Sequence, residues 1–228
     1  MKKLFKYPLI FLGLLLIFIF LLFISSLFPS SIIEKNIKES SKILTKEGNL
    51  YQFFDWSHIV NNNYTDVLMI NEAYSIDYKN PLYSCLSVRK NYNENITKNS
   101  LTDQNGDSVS LNNAEDYDPV GELADFLDGN IDTSVTYARY WHGYLPILRT
   151  LLIFFNISEI RIILLIVFIF LFIWLLKLIK DKIGLLETGI FAISLILYSY
   201  FLVSYSLESA PVFLVMMISS IVLLNRIE

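Results

Sequence analysis

The sequence predicts a mainly α-helical integral membrane protein, with about four transmembrane helices and a small, mostly helical extracytoplasmic domain between the first and second spans. Three observations lead there. Of 228 residues, 54% are hydrophobic and only 18% charged, and the mean hydropathy of +0.48 lies outside the range of soluble domains. Residues 7–28 run without a charge, which is enough for the roughly 20 helical residues that cross about 30 Å of hydrocarbon. Residues 29–144 are then polar for far longer than the roughly 15 residues of an ordinary connection, so they make a domain of their own.

The first span follows the basic start Lys2, Lys3 and Lys6. Its apolar run exceeds the roughly 7–15 residues of a signal-peptide core, so residues 1–28 read as an uncleaved anchor. Orientation follows from charge. Residues 29–144 hold nine Lys/Arg against seventeen Asp/Glu, whereas the short ends carry Lys2, Lys3, Lys6, Lys177, Lys180, Lys182 and Arg226 against Asp181, Glu187 and Glu228. Excess Lys/Arg marks the cytoplasmic side. The expected localisation is therefore the cell membrane, multi-pass, with a cytoplasmic N-terminus and residues 29–144 outside. The acidic outer balance disfavours nucleic acid and anionic lipid headgroups as partners. The lone Cys85 excludes a disulfide within the chain.

Along the outer domain, Ser31 and Glu34 have the spacing of a capping box ahead of Ile33, Ile37 and Leu44, and Gly48 can stop that helix. Asn63 or Thr65 can cap a second helix with Val67, Ile70 and Tyr74 on one face, broken by Asn80-Pro81. Residues 84–117 are polar and asparagine-rich and read as a loop, with a short hairpin around Asn105-Gly106. Asp118-Pro119 then has the form of an N-cap and first helical residue, with Val120, Leu123, Phe126 and Leu127 on one face and Gly129 as the stop.

Residues 145–228 read as an interfacial or re-entrant helix and three further hydrophobic segments. The second span covers residues 160–176 and ends inside at Lys177, Lys180 and Lys182. The third covers residues 185–207 and carries many hydroxyls, a face for protein or a cavity. Residues 211–224 are short for a crossing. Either this fourth span is tilted and borrows its flanks, or the chain is the N-terminal part of something larger.

The densest chemistry is Y-A-R-Y-W-H-G-Y-L-P-I-L-R at residues 137–149. Arg139 and Arg149 offer planar forks for phosphate or carboxylate, His142 can donate a proton, and Tyr140, Trp141 and Tyr144 offer faces for sugar stacking. The competing reading is an aromatic belt at the membrane surface with a snorkelling arginine. Asp66, with Glu72 and Asp55 nearby in sequence, is the candidate carboxylate for activating a hydroxyl. A helix-dipole role for Asp66 is equally economical. Asp103–Asp107 lacks the glycine and glutamate positions of a calcium loop, and His58 and His142 stand apart, so neither a metal nor a cofactor is expected.

The layout, together with T-D-V-L-M-I-N at residues 65–71 and the phrase at residues 137–149, resembles a poorly characterised family of multi-pass membrane proteins of Gram-positive bacteria. More distantly it is similar to the N-terminal part of C-type membrane glycosyltransferases, with an anchor, a large outer loop and further spans. That resemblance implies a role in bacterial envelope glycan metabolism, with a polyprenyl-phosphate-linked sugar as substrate at the outer face. By that resemblance Asp66 would be the base and Arg139 and Arg149 would contact phosphate, while His142 joins the catalytic set, and Tyr140, Trp141 and Tyr144 the substrate contacts, on the residue reading alone. It departs from the pattern in placing Asp66 nearly forty residues past the first span and in its few spans. The alternative is a non-enzymatic envelope protein whose outer domain binds a glycan or a membrane-protein partner. A transporter is disfavoured, because no charge lies deep within the spans.

Overall fold

The computed structural model describes residues 2–53, 60–91, 118–130, 133–137 and 142–226. The chain is mainly helical and divides into two units, residues 1–49 with 67–156 and residues 50–66 with 157–228.

The first unit begins with α1, Lys2–Ser26, whose stretch Lys6–Ser26 has a mean hydropathy of 3.0 and is long enough to cross a membrane. Leu9, Phe11, Leu16 and Phe20 are exposed along it, and among its described side chains burial is confined to Leu22, Ser25 and Ser26 near its end. Both serine hydroxyls donate back to the Leu22 carbonyl at 2.8 Å, which satisfies them without water.

A 3-10 turn, Ser30–Ile32, leads into α2, Glu34–Glu47. The expected Ser31–Glu34 capping box is absent, because this turn moves the N-cap to Ile33, where no side chain caps. The rest of the expectation holds: Ile33, Ile37 and Leu44 are buried, and Gly48 at φ 73° closes the helix through its N–H to the Leu44 carbonyl.

Helix α3, Asn63–Tyr74, was expected to bury one face. Within the first unit, Val67, Leu68, Met69, Ile70 and Ala73 are all buried, and so are Asn71 and Glu72. A helix buried all round must satisfy its polar side chains internally. Asn71 does so by exchanging hydrogen bonds with the backbone of Asn91. Asn80-Pro81 acts as a fresh start, with Pro81 the first residue of α4, Pro81–Leu86, which packs on α1.

The polar region contributes β3, Arg89–Asn91, paired antiparallel with β4, Ser134–Thr136. The hairpin expected around Asn105-Gly106 lies outside the described residues. Helix α5, Pro119–Leu127, packs on α2 and starts as its sequence demands, Asp118 Oδ1 accepting the Gly121 N–H at 3.0 Å. Helix α6, Leu145–Phe154, buries Leu145, Leu148, Arg149 and Leu152 and leaves Ile147 and Phe154 exposed.

The second unit opens with β1, Leu50–Gln52, antiparallel to β2, Val60–Asn62, and includes the first turn of α3. Helix α7, Ile157–Lys182, has a mean hydropathy of 3.2 and is also long enough to cross a membrane. The expected third span is not one continuous helix. α8, Leu185–Leu197, stops ahead of Ser199, which adopts a left-handed conformation at φ 57°, and a 3-10 segment, Tyr200–Tyr205, follows. α9, Ser209–Asn225, closes the chain's helical part. Phe168, Leu171, Phe172, Leu175 and Ile179 of α7 form a core with Tyr200, Ala210, Met217 and Ile221.

Candidate functional site

In the first unit the sequence-predicted residues His142 and Tyr144 come together on Glu72. α3 carries the Glu72 carboxylate to a position only 1% exposed, where a charge must find partners. The turn before α6 supplies them. His142 Nδ1 lies 2.9 Å from Glu72 Oε2, and the Tyr144 hydroxyl donates to the same oxygen. On the other side of the ring, His142 Nε2 lies 2.8 Å from the Tyr137 carbonyl. Acceptor oxygens flank both ring nitrogens, an arrangement that suits a protonated imidazole.

Electrostatics agree with that assignment. Burial alone would lower the His142 pKa, but the hydrogen bond and charge of Glu72, with the Tyr137 carbonyl, raise it overall. Burial and the adjacent Glu72 charge push the Tyr144 hydroxyl upward, so it stays protonated. The surroundings of the ring favour its charged form, and the Tyr144 phenol keeps its proton. Both ring nitrogens are turned to partners within the chain.

Arg149 sits one turn into α6 and is 3% exposed. Its Nε donates to the Ser25 carbonyl at 3.0 Å, Nη2 to the Phe28 carbonyl at 2.6 Å, and Nη1 to the Ala73 carbonyl and, at 3.5 Å, to Ser30 Oγ. Ser25 lies in the last turn of α1, Phe28 just beyond it and Ala73 in the last turn of α3. Carbonyls at helix ends lack intrahelical partners and carry the negative end of the dipole, so one guanidinium caps two helices. Burial draws its pKa down to about 10, which leaves it cationic at neutral pH. The fork that the sequence offered to phosphate is taken up by backbone.

Asp66 belongs to the second unit. It is fully buried, and its Oδ1 accepts the Leu207 N–H at 2.9 Å while Oδ2 lies 3.5 Å from Arg161 Nη2. That same nitrogen donates to Asn63 Oδ1 at 2.9 Å, and Arg161 Nε donates to the Tyr205 carbonyl at 2.9 Å. The guanidinium also stands 5.0 Å from the Tyr205 ring centroid, a cation–π contact. Desolvation raises the Asp66 carboxyl to about 7 against the opposing charge of Arg161 and the Leu207 N–H. Oδ2 has no hydrogen-bond partner among the described residues.

Arg139, Tyr140 and Trp141, and Asp55 and His58, lie outside the described residues. Among the described residues no three His, Cys, Asp or Glu side chains gather in a metal-binding group. Two functional-looking partners escaped the sequence reading. Arg161 was visible as the one charge in the apolar run of residues 160–176, and a charge in such a run is a signal for a buried partner. The pairing of Glu72 with His142 spans 70 residues and had no local signal. No family model matches the chain, and no curated protein or solved structure matches it.

Proposed function

We propose that the chain is a multi-pass envelope membrane protein whose outer domain, residues 29–144, has a non-catalytic binding or scaffolding role. The carrying observation is Arg149, whose three side-chain nitrogens each face an acceptor within the chain. A phosphate contact needs a free fork, and this one holds helix ends together. The Glu72–His142–Tyr144 cluster supports the same reading, since its protons are held between in-chain acceptors.

Three crossings fit the second unit, and α1 of the first unit makes a fourth. α7 starts near Arg161 and ends at Lys180 and Lys182, basic as an inner end should be. α8 with its 13 residues rises roughly 20 Å, and the 3-10 segment adds roughly 12 Å, together about the hydrocarbon thickness. The contact of Arg161 with the Tyr205 carbonyl brings the end of that composite span to the level where α7 begins. α9 returns with 17 residues, roughly 26 Å.

A second reading, a glycosyltransferase-like enzyme using a polyprenyl-phosphate-linked sugar at the outer face, is favoured by Asp66. A carboxyl held at about 7, with one oxygen lacking a hydrogen-bond partner among the described residues, has the character of a general base. In that reading Arg139 remains as the phosphate contact. Native mass spectrometry of the detergent-purified chain separates the two. We expect no bound polyprenyl phosphate in the wild type; such a lipid, lost in Arg139→Ala, would overturn the binding reading in favour of the transferase.

A further inference from the structure

The first unit holds an open cleft of about 600 Å³, within the roughly 300–1,000 Å³ of small-molecule sites. It lies between the chain leaving α1 at Pro29 and the turn that follows α3. Aromatic rings contribute from three places in the sequence: Tyr74, Tyr78 and Phe126. Tyr74 and Phe126 meet edge to face with ring centroids 5.5 Å apart, which fixes a corner of the wall.

The polar part of the wall is Asp77 with Lys79 and Asn91. Asp77 is exposed but held in place. Its Oδ1 accepts the Lys79 N–H and its Oδ2 accepts Asn80 Nδ2, both at 2.9 Å, while the Asp77 N–H donates to Ser84 Oγ at 3.1 Å. Those bonds, the Asn80 amide first, keep its carboxyl below the usual carboxylate range, so it is ionised with lone pairs remaining for a ligand. A carboxylate fixed before binding loses little freedom on binding.

This mixture selects a ligand class. A lipid tail finds too few aliphatic side chains, and a phosphate meets one lysine beside a carboxylate. A pyranose matches both halves, with C–H faces for the rings and hydroxyl donors for the carboxylate. We propose that this cleft is a carbohydrate subsite for a short neutral oligosaccharide, with Asp77 accepting sugar hydroxyls and Tyr78 packing on a sugar face. The assignment rests on the binding reading above and names its ligand.

The test is saturation-transfer NMR on the full chain in nanodiscs, with chitotriose and maltotriose as probes. Transfer to the sugar protons is expected for at least one trisaccharide, with affinity falling at least tenfold in Asp77→Asn and in Tyr78→Ala. Tyr78 is 47% exposed, so its truncation leaves the core intact, and circular dichroism checks this. No transfer to either sugar, or variants that bind as the wild type does, would overturn the subsite. Polyprenyl phosphate lost with Arg139→Ala would instead remove the parent reading, and it is read by mass and not by sugar transfer.

Discussion

Glu72 and His142 form a buried pair in which the ring's second nitrogen is also committed, Nδ1 to the carboxylate at 2.9 Å and Nε2 to the Tyr137 carbonyl at 2.8 Å. The folded state therefore binds the imidazole proton more tightly than the unfolded chain, whose histidine titrates near 6.5. Its contribution is fully present below about 6.5 and is lost as pH rises through the folded value. The apparent Tm in nanodiscs should fall on the alkaline side, at about 2–4 °C per kcal/mol for a chain of this size. In Glu72→Gln that alkaline fall should shrink; an unchanged profile would show that the pair does not titrate as the geometry demands.

Asp66 produces a slope in a lower window. Its folded value is about 7 against an ordinary 3.8, so between these the folded state keeps a proton that the unfolded chain has released. Stability must then decline as pH rises from about 4 to about 7. Asp66→Asn cannot ionise and should flatten the apparent Tm over that window without altering the slope above it.

Removing the guanidinium of Arg149 orphans the carbonyls of Ser25, Phe28 and Ala73. At roughly 1 kcal/mol or more for each buried unsatisfied acceptor, Arg149→Met should lose about 3 kcal/mol or more. Arg149→Lys keeps the charge but not the fork, and should recover only part of it. Equal thermal stability of wild type and Arg149→Met would remove the capping role.

Ser199 holds φ 57° without being glycine, a conformation that costs an L-residue roughly 1–2 kcal/mol. Ser199→Gly should raise the apparent Tm and Ser199→Val should lower it. The reverse order would mean that α8 continues unbroken into the Tyr200–Tyr205 segment.

Topology can be read from single cysteines placed in Cys85→Ser. In intact cells a membrane-impermeant maleimide should label Lys35→Cys and spare Lys180→Cys, both exposed positions on opposite expected sides. The opposite pattern would invert the orientation.

Local chemistry was legible in the sequence, and distant chemistry was not. Asp118-Pro119 announced α5 because a cap and its helix lie within four residues, and Gly48 and Gly129 marked stops through a backbone freedom that only glycine has. α1 and α7 were legible through length and hydropathy alone. Ser31–Glu34 misled, since a capping-box spacing does not reveal that Ser30–Ile32 winds into a 3-10 turn first. The break at Ser199 had no residue signal, because serine rarely takes that backbone conformation. Arg149 misled most: its donors were evident, but its acceptors are backbone carbonyls, which every residue has and no sequence pattern marks.

The Arg149 clamp also sets an order of assembly. Its guanidinium reaches the Ser25 carbonyl from 124 residues further along the chain. During synthesis α1, whose Lys6–Ser26 stretch is long and apolar enough to cross a membrane, leaves the ribosome long before its clamp exists. A nascent chain of 148 residues has α1, α2 and α3, but nothing yet holds the carbonyl ends of α1 and α3, so the first unit cannot close until α6 arrives. Only Phe155 and Asn156 separate α6 from α7, so the residue that closes the first unit is made just ahead of the second helix long enough to cross a membrane.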